Sequence, residues 1–256
     1  MIDENSRPPI TVGTDGPAIT LWLERPDRGN ALSAAMVAGL EAALDSALAG
    51  GARLIILRGR GKNFCTGFDL ADLEATSDAE LALRVIRIEL LLQRIHALSV
   101  PTLAVAQGRV FGAGADLVAV CDHRLVLRGA SFAFPGPAFG LVLGTGRLAG
   151  LIGDGPARRL LVAGATIEAQ TALGLGLATE VLDEEQLADR IGEARAAATR
   201  LDAPTIAALH GRTRRADDAG DLAALTRSVA RPGLRQRIQD YRAAVIGARK
   251  PEGGMR

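Results

Sequence analysis

The first half of the chain alternates short apolar runs with stretches in which apolar residues recur every three or four positions. Apolar runs at residues 10–13 and 18–23 flank Asp15-Gly16, a pair that favours a hairpin turn, so two early strands are expected. Ser33 is suited to cap a helix that ends at Gly50-Gly51. The same pattern predicts helices at residues 81–95 and 112–120 and strands at residues 54–57, 102–106, 124–127 and 131–134. This alternation predicts an α/β fold of βαβ units with right-handed crossovers.

After about Gly144 the pattern becomes mainly helical, and one segment, residues 178–182, is expected to be extended. The tail at residues 249–254 combines charged residues with Pro and Gly and is expected to be disordered. Helices are expected at residues 158–163, 168–173, 184–201, 204–212, 222–230 and 234–246. The second half is therefore expected to be a largely helical continuation of the α/β part.

Composition narrows the class of protein. The 256 residues suffice for one large α/β domain, or for a domain with a helical appendage. A net charge of +1 and an aromatic content of 3% predict neither a nucleic-acid nor a membrane partner. No apolar run approaches the roughly 18 residues of a membrane span, and residues 1–5 lack the pattern of a signal peptide. Cys65 and Cys121 lie in apolar contexts without metal-ligand spacing, which predicts a reduced cytoplasmic protein with no metal site.

Two glycine-bearing stretches, residues 63–69 and 108–116, each follow an apolar run and each open a helix-like one. Glycine lets the backbone approach a ligand closely, and a helix N-terminus leaves N–H groups without an intrahelical acceptor. Two such ends that converge on one oxygen would form an oxyanion hole. The pattern therefore favours chemistry in which negative charge develops on an oxygen atom.

Three segments resemble signatures of the crotonase family, also called the enoyl-CoA hydratase/isomerase family. Residues 24–33 carry Arg-Pro followed by Asn-Ala-Leu, residues 61–70 carry Lys-Asn-Phe-Cys-Thr-Gly-Phe-Asp, and residues 101–122 carry spaced glycines followed by Cys-Asp. The resemblance covers residues 19–182 well and the helical remainder loosely. It implies a crotonase-like ββα superhelix of βαβ units with a C-terminal helical region. It also implies an acyl-CoA thioester substrate, with coenzyme A as part of the substrate and no separate cofactor.

The resemblance implies three catalytic residues: Phe68, Ala113 and Asp116. The peptide N–H groups of Phe68 and Ala113 are expected to donate to the thioester oxygen, and Asp116 is expected to transfer a proton. Substrate binding is expected from Arg28, Ala31, Lys62, Thr66, Gly67, Asp69, Gly112, Pro135 and Gly136. Together these residues are expected to stabilise a thioester enolate.

The acid/base residues depart from the pattern of typical hydratases. Asp116 stands where the family has the first of two glutamates, and Gly136 falls where the second would stand. A single acid/base group suits isomerisation or another enolate reaction better than the addition of water. Gly136-Pro137 is also reminiscent of bicarbonate-dependent dihydroxynaphthoyl-CoA synthases. The alternatives are an enzyme that forms or cleaves a carbon–carbon bond and a catalytically impaired acyl-CoA-binding homologue; a pure interaction protein would not need two close-approach turns.

Several of these side chains also have a structural interpretation. Asp116 would suit the first turn of a helix, paired with Arg109 or Arg124. Cys65 has no His in a recognisable partner motif, which argues against a nucleophile. The three histidines, at positions 96, 123 and 210, belong to no recognisable triad.

The resemblance also implies an organisation and an assembly. Residues 1–200 are expected to form the acyl-CoA-binding core. Residues 201–256 are expected to form a C-terminal helical region that covers the acyl site and contributes to trimerisation. A homotrimer or a dimer of trimers is therefore expected.

Overall fold

A computed structural model describes residues 8–248, and the tail predicted to be disordered, residues 249–254, lies outside them. The first two strands form the expected hairpin, in which β1 (Ile10–Asp15) pairs antiparallel with β2 (Ala18–Leu23). Gly16 in the turn has a φ of 58°, a left-handed conformation that glycine adopts without steric cost. The hairpin predicted from the sequence is thus confirmed.

A mainly parallel sheet forms the centre of the fold. The strands after the hairpin are β3 (Leu54–Gly59), β4 (Thr102–Ala106), β5 (Arg109–Phe111), β6 (His123–Leu127), β7 (Ser131–Ala133), β8 (Ile167–Glu168) and β9 (Glu180–Leu182). The central sheet has the order β1-β2-β3-β4-β6-β9, and every pair after the hairpin is parallel. All residues of β4 are buried, as is typical of a parallel strand covered on both faces of the sheet.

A second, smaller sheet has the order β5-β7-β8, with β5 parallel to β7 and β8 antiparallel to it. The sequence pattern did not predict β5, whose three residues lie between Gly108 and Gly112, or β8, whose two residues directly precede α6. The expectation that residues 178–182 are the one extended segment of the second half is therefore wrong. Cys65 forms an isolated parallel bridge with Val110 of β5. This bridge brings the first glycine-bearing stretch alongside the second.

Ten helices complete the described part of the chain. They are α1 (Ala34–Ala49), α2 (Asp78–His96), α3 (Ala113–Ala119), α4 (Thr145–Ile152), α5 (Asp154–Ala163), α6 (Ala169–Leu175), α7 (Leu187–Arg200), α8 (Ala203–Thr213), α9 (Asp218–Val229) and α10 (Leu234–Ala248). Ser33 caps α1 as predicted, since its hydroxyl accepts a hydrogen bond from the Met36 amide at 3.1 Å. Helix α4 was not predicted, because Gly146 and Gly150 interrupt its helical pattern. The helix predicted from residue 184 begins as a 3₁₀ turn at residues 184–186 and continues as α7.

The last two helices pack against α2 and against the loop that follows β7. This contact is a buried apolar cluster of Leu73, Leu81, Val85, Phe139, Leu141, Leu225, Val229, Leu234 and Ile238. Phe139 also stacks on Tyr241 of α10, with ring centroids 5.2 Å apart. Helices α9 and α10 thus cover one end of the loop that carries Gly136. The division of the chain at residue 200 stays a prediction.

Two helical glycines provide a matched test of this packing. A Cβ at Gly114 in α3 would lie 2.4 Å from the backbone oxygen of Cys65, whereas a Cβ at Gly150 in α4 meets no atom within 4 Å. We therefore expect Gly114→Ala to lower the free energy of unfolding by about 2 kcal/mol through overpacking. Gly150→Ala should raise it by about 0.5–1 kcal/mol, because alanine favours the helix. Urea denaturation measures both changes, and a Gly114→Ala protein as stable as the wild type would contradict the packing described.

Candidate active site

A cavity of about 200 Å³ lies between the two glycine-bearing stretches, α2, α10 and the loop after β7. Most of its wall is apolar, with side chains such as Val85, Ile88, Phe134 and Leu143. Eight of the predicted site residues line it: Thr66, Gly67, Phe68, Gly112, Ala113, Asp116, Pro135 and Gly136. The fold therefore brings together in one pocket residues that lie up to 70 positions apart in the chain.

The amide of Phe68 faces this pocket because of the pairing beside it. Leu32 and Phe68 form a parallel bridge, in which the Leu32 amide donates to the Gly67 oxygen at 2.8 Å and the Asp69 amide donates to the Leu32 oxygen at 3.3 Å. In this arrangement the N–H of Phe68 points away from Leu32. It has no backbone acceptor among the described residues.

The amide of Ala113 is available for a different reason. Ala113 is the first residue of α3, so its N–H has no intrahelical acceptor. Gly112 precedes it with a φ of 54°, and the Gly112 amide donates to the Ala133 oxygen at 2.8 Å. The helix start is thereby fixed to the small sheet, with one free donor at the pocket.

Close contact between the two loops places these donors in one cavity. Gly67 has a φ of 92°, and a Cβ there would lie 2.7 Å from the Phe111 oxygen and 3.5 Å from the Ala113 nitrogen. A side chain at Gly67 would therefore push the loops apart. Two backbone donors on one small pocket are the arrangement that stabilises a developing oxyanion.

Asp116 is the one carboxylate among the described residues that line the pocket, and it is only 4% exposed. Its amide donates to the Gly112 oxygen at 3.1 Å, but its carboxyl group has no hydrogen-bond partner among the described residues. Burial raises the pKa of Asp116 to about 8, with Glu89 and Asp221 adding to the rise and Arg147 opposing it. The carboxyl group can therefore hold or release a proton near neutral pH.

The pairing of Asp116 with Arg109 or Arg124 is not found. The amide of Arg109 donates to Asn63, and the guanidinium of Arg124 donates to backbone oxygens, including that of Cys121 at 2.6 Å. The charged groups that act on Asp116 are instead Arg147, Glu89 and Asp221. Sequence reasoning missed these three, because they come from three different helices and share no local motif.

Four predicted binding residues lie outside the pocket. Arg28 and Lys62 are exposed, whereas Ala31 is buried and its carbonyl accepts from Arg25. Asp69 forms an ion pair with Arg25 at 2.7 Å, and its other carboxylate oxygen accepts from the Ala71 amide. The contacts of Asp69 thus fix the loop after Phe68.

Gly136 lies on the pocket wall and leaves space there. A Cβ at this position would meet its nearest neighbours, the Cβ and the oxygen of Leu141, at 3.7 and 3.8 Å. These are ordinary contact distances, and Gly136 does not need a left-handed backbone. The backbone at Gly136 therefore accommodates a Cβ, and no carboxylate stands at this point of the wall.

Other reactive groups do not point to a second chemistry. Burial raises the pKa of both cysteine thiols, Cys65 and Cys121, to about 12, so neither is a ready thiolate nucleophile. Among residues 8–248 no cluster of three or more His, Cys, Asp or Glu residues could hold a metal ion. Within the same range no helix is both long and apolar enough to cross a membrane.

Known proteins resemble this chain over most of its length. The family described as Enoyl-CoA hydratase/isomerase matches residues 16–226. A crystal structure from Bordetella parapertussis, described as an enoyl-CoA hydratase/isomerase, superposes with a TM-score of 0.91 at 41% identity, covering 93% of this chain and 99% of that one. The mixed α/β fold predicted from the sequence is thus confirmed.

Curated relatives align over part of their length. "Probable enoyl-CoA hydratase echA6" of Mycobacterium tuberculosis is 36% identical over 166 residues, which are 64% of this chain and 66% of the relative. "Ethylmalonyl-CoA decarboxylase" of Gallus gallus is 33% identical over 146 residues, which are 56% of this chain and 49% of the relative. The alignments therefore span about half to two thirds of these relatives.

Because the carboxyl group of Asp116 is buried, the free energy of unfolding should depend on pH. The pKa of this group is about 8 in the folded protein against an ordinary value of 3.8, so the contribution of Asp116 to stability is complete below 3.8 and is lost as the pH rises to about 8. Asp116→Asn removes this loss. Relative to the wild type, the variant should gain free energy of unfolding as the pH rises through this window, measured by urea denaturation at several pH values.

Asp189→Asn, on the exposed face of α7, is the matched control and should show no such trend. A difference between Asp116→Asn and the wild type that stays constant from pH 4 to pH 8 would mean that Asp116 ionises at its ordinary pKa.

Proposed function

The chain belongs to the enoyl-CoA hydratase/isomerase family, and on this premise we propose that it converts an acyl-CoA thioester through an enolate. The amides of Phe68 and Ala113 donate hydrogen bonds to the thioester oxygen, and Asp116 transfers a proton. The observation that carries the proposal is that Phe68 and Ala113, whose amides have no backbone acceptor among residues 8–248, line one small pocket with Asp116, the one carboxylate among its described lining residues.

The two donors act mainly on the enolate. The negative charge of an enolate lies largely on the former carbonyl oxygen, so donors fixed in advance stabilise it more than they stabilise the bound thioester. Each such donor commonly lowers the barrier by about 3 kcal/mol. Since both are backbone groups, alanine at position 113 serves as well as glycine.

Asp116 suits proton transfer in either direction. A general acid/base works best when its pKa lies near the working pH, and burial brings the pKa of Asp116 to about 8. The carboxylate form removes a proton beside the thioester carbonyl, and the carboxylic acid returns one. Closure of the pocket by an apolar acyl group would further exclude water from this step.

The surroundings of the pocket indicate which acyl group and which part of coenzyme A the protein would bind. Its apolar wall suits a hydrocarbon acyl group. The exposed side chains of Arg28 and Lys62, on the two loops beside it, are proposed to meet the phosphates of coenzyme A. Assembly as a homotrimer or a dimer of trimers, and a cytoplasmic location, belong to the same proposal.

Isomerisation is favoured over hydration as the reaction of this enolate. Addition of water would profit from a second carboxylate that activates the water, and Gly136 supplies none. Isomerisation needs only one group that removes a proton at one carbon and returns it at another. Asp116 is such a group.

A decarboxylase is the second candidate, since a relative from Gallus gallus carries that name. Loss of CO₂ from a carboxylated acyl-CoA leaves the electron pair of the broken bond on the same enolate. The amides of Phe68 and Ala113 would stabilise it, and protonated Asp116 would supply the proton to the α carbon. Gly136 has no side chain of its own to occupy the wall where the departing carboxylate would lie.

Proton exchange tests the proposed enolate. Incubation with a saturated or β,γ-unsaturated acyl-CoA in D₂O should place deuterium at the α carbon, measured by mass spectrometry. Asp116→Asn should slow the exchange at least about a hundredfold, because it keeps the shape and removes the base, while the Kd for acyl-CoA stays within about threefold.

The exposed control Asp189→Asn should exchange like the wild type. Equal exchange in Asp116→Asn would assign Asp116 a structural role. Bound acyl-CoA without exchange in any variant would contradict the proposal and identify the chain as a non-catalytic acyl-CoA-binding protein.

Hydration of crotonyl-CoA should be slow, well below the enzyme median of roughly 10 per second. Gly136→Glu should raise this rate, because the position accommodates a side chain and the new carboxylate can activate water. Gly136→Gln, with the same shape and no charge, is the control and should not. Efficient hydration by the wild type would show that the second carboxylate is not needed here.

A further inference from the structure

Behind the pocket, a buried ionic cluster joins three helices. Arg147 of α4 forms a two-pronged ion pair with Glu89 of α2, at 2.8 and 2.6 Å, and its Nη1 also donates to Asp221 of α9 at 3.2 Å. The side chains of Arg147 and Glu89 are 4% and 0% exposed, and that of Asp221 is 14% exposed. The cluster therefore lies away from bulk solvent.

The carboxyl groups of Asp116 and Asp221 lie close to the backbone of the first turn of α4. A Cβ at Gly144, which precedes the helix, would lie 2.1 Å from an oxygen of Asp116, and a Cβ at Gly146 would lie 2.5 Å from an oxygen of Asp221. Arg147 follows directly in the same turn. Asp116 and Asp221 thus pack against one turn of helix, beside one guanidinium.

Charge is unbalanced in this arrangement. Three carboxylates, those of Asp116, Glu89 and Asp221, act on the single cation Arg147, and Asp217 at the start of α9 adds a further negative charge beside Asp221. Glu89 occupies both terminal nitrogens of the guanidinium. The positive charge of Arg147 is therefore largely neutralised by Glu89 and stabilises the charged forms of Asp116 and Asp221 less. Buried like charges also hinder each other's ionisation.

Asp221 does not line the substrate pocket, so it has no contact with a reacting atom there. We propose that Asp221 is a positioning residue for the acid/base step: it shares the field of Arg147 with Asp116 and so raises the pH at which Asp116 releases its proton. This inference rests on the proposed role of Asp116 in catalysis. The electrostatic coupling itself can be measured without turnover.

Replacement of Asp221 by asparagine removes one negative charge and keeps the shape. Asp116 should then ionise about one pH unit lower, which is a tenfold larger proton dissociation constant. Two measurements report the pH at which Asp116 ionises. One is the carboxyl ¹³C signal of Asp116 in the ligand-free protein, assigned by its loss in Asp116→Asn. The other is the pH midpoint of deuterium exchange into an acyl-CoA.

Two further variants separate charge from structure. Asp221→Glu keeps the charge and should hold the midpoint near that of the wild type, and the exposed control Asp189→Asn should leave it unchanged. Coupling is reciprocal, so in the wild type the carboxyl signal of Asp221 should show a further step near pH 8, where Asp116 ionises, and Asp116→Asn should lack this step. This last measurement does not require that an Asp221 variant folds.

The outcomes distinguish this inference from the proposed function. A lowered Asp116 midpoint in Asp221→Asn, together with the reciprocal change, supports the coupling even if no exchange is detected in the wild type. An Asp116 signal that titrates at the same pH in Asp221→Asn and in the wild type overturns it, whether or not exchange occurs. So does an Asp221 signal that shows no step near pH 8 in the wild type.

Discussion

The pocket depends on the close approach of two backbone segments at Gly67 and Gly112. Both glycines have positive φ, and a Cβ at Gly67 would lie 2.7 Å from the Phe111 oxygen. Only glycine permits this approach without strain or displacement of the neighbouring loop. The same contact places Phe68 and Ala113 at one cavity, and the first turn of α3 places Asp116 on the wall of that cavity. The positions of both donors and of the carboxyl group therefore depend on this one contact between the two backbone segments.

The carboxyl group makes the site costly for stability and useful for chemistry at once. Burial of Asp116 disfavours its charged form; Glu89 and Asp221 add to this effect, and Arg147 opposes it. A fold selected for stability alone would place an apolar side chain here. Functional sites commonly retain such local cost, which the rest of the core offsets. Here the offset comes from a parallel sheet buried on both faces and from helices α9 and α10, which pack over the loop after β7.

Local patterns in the sequence predicted the hairpin, the buried parallel strands, most helices and both glycine-bearing stretches, because each depends on neighbouring residues. They did not predict β5, which lies between two glycines, β8, which has two residues, or α4, whose glycines weaken the helical signal. The cluster of Arg147, Glu89 and Asp221 could not be predicted from the sequence for another reason. Glu89 and Asp221 lie 58 and 74 residues from Arg147 in the chain, and only the packing of three helices brings the three side chains together. The partners that a structural role for Asp116 would use, Arg109 and Arg124, lie nearby in the chain, and neither pairs with it.

The central claim is that the amides of Phe68 and Ala113 polarise a thioester carbonyl, and infrared spectroscopy of a bound acyl-CoA with a ¹³C-labelled carbonyl tests it directly. In the wild type the carbonyl band should move to lower frequency than in water, because two fixed donors weaken the bond. Ala113→Pro removes one donor at a helix position where proline fits, and it should reverse about half of this displacement. A band that is the same for bound and free acyl-CoA, or the same in the folded variant and the wild type, would contradict the account.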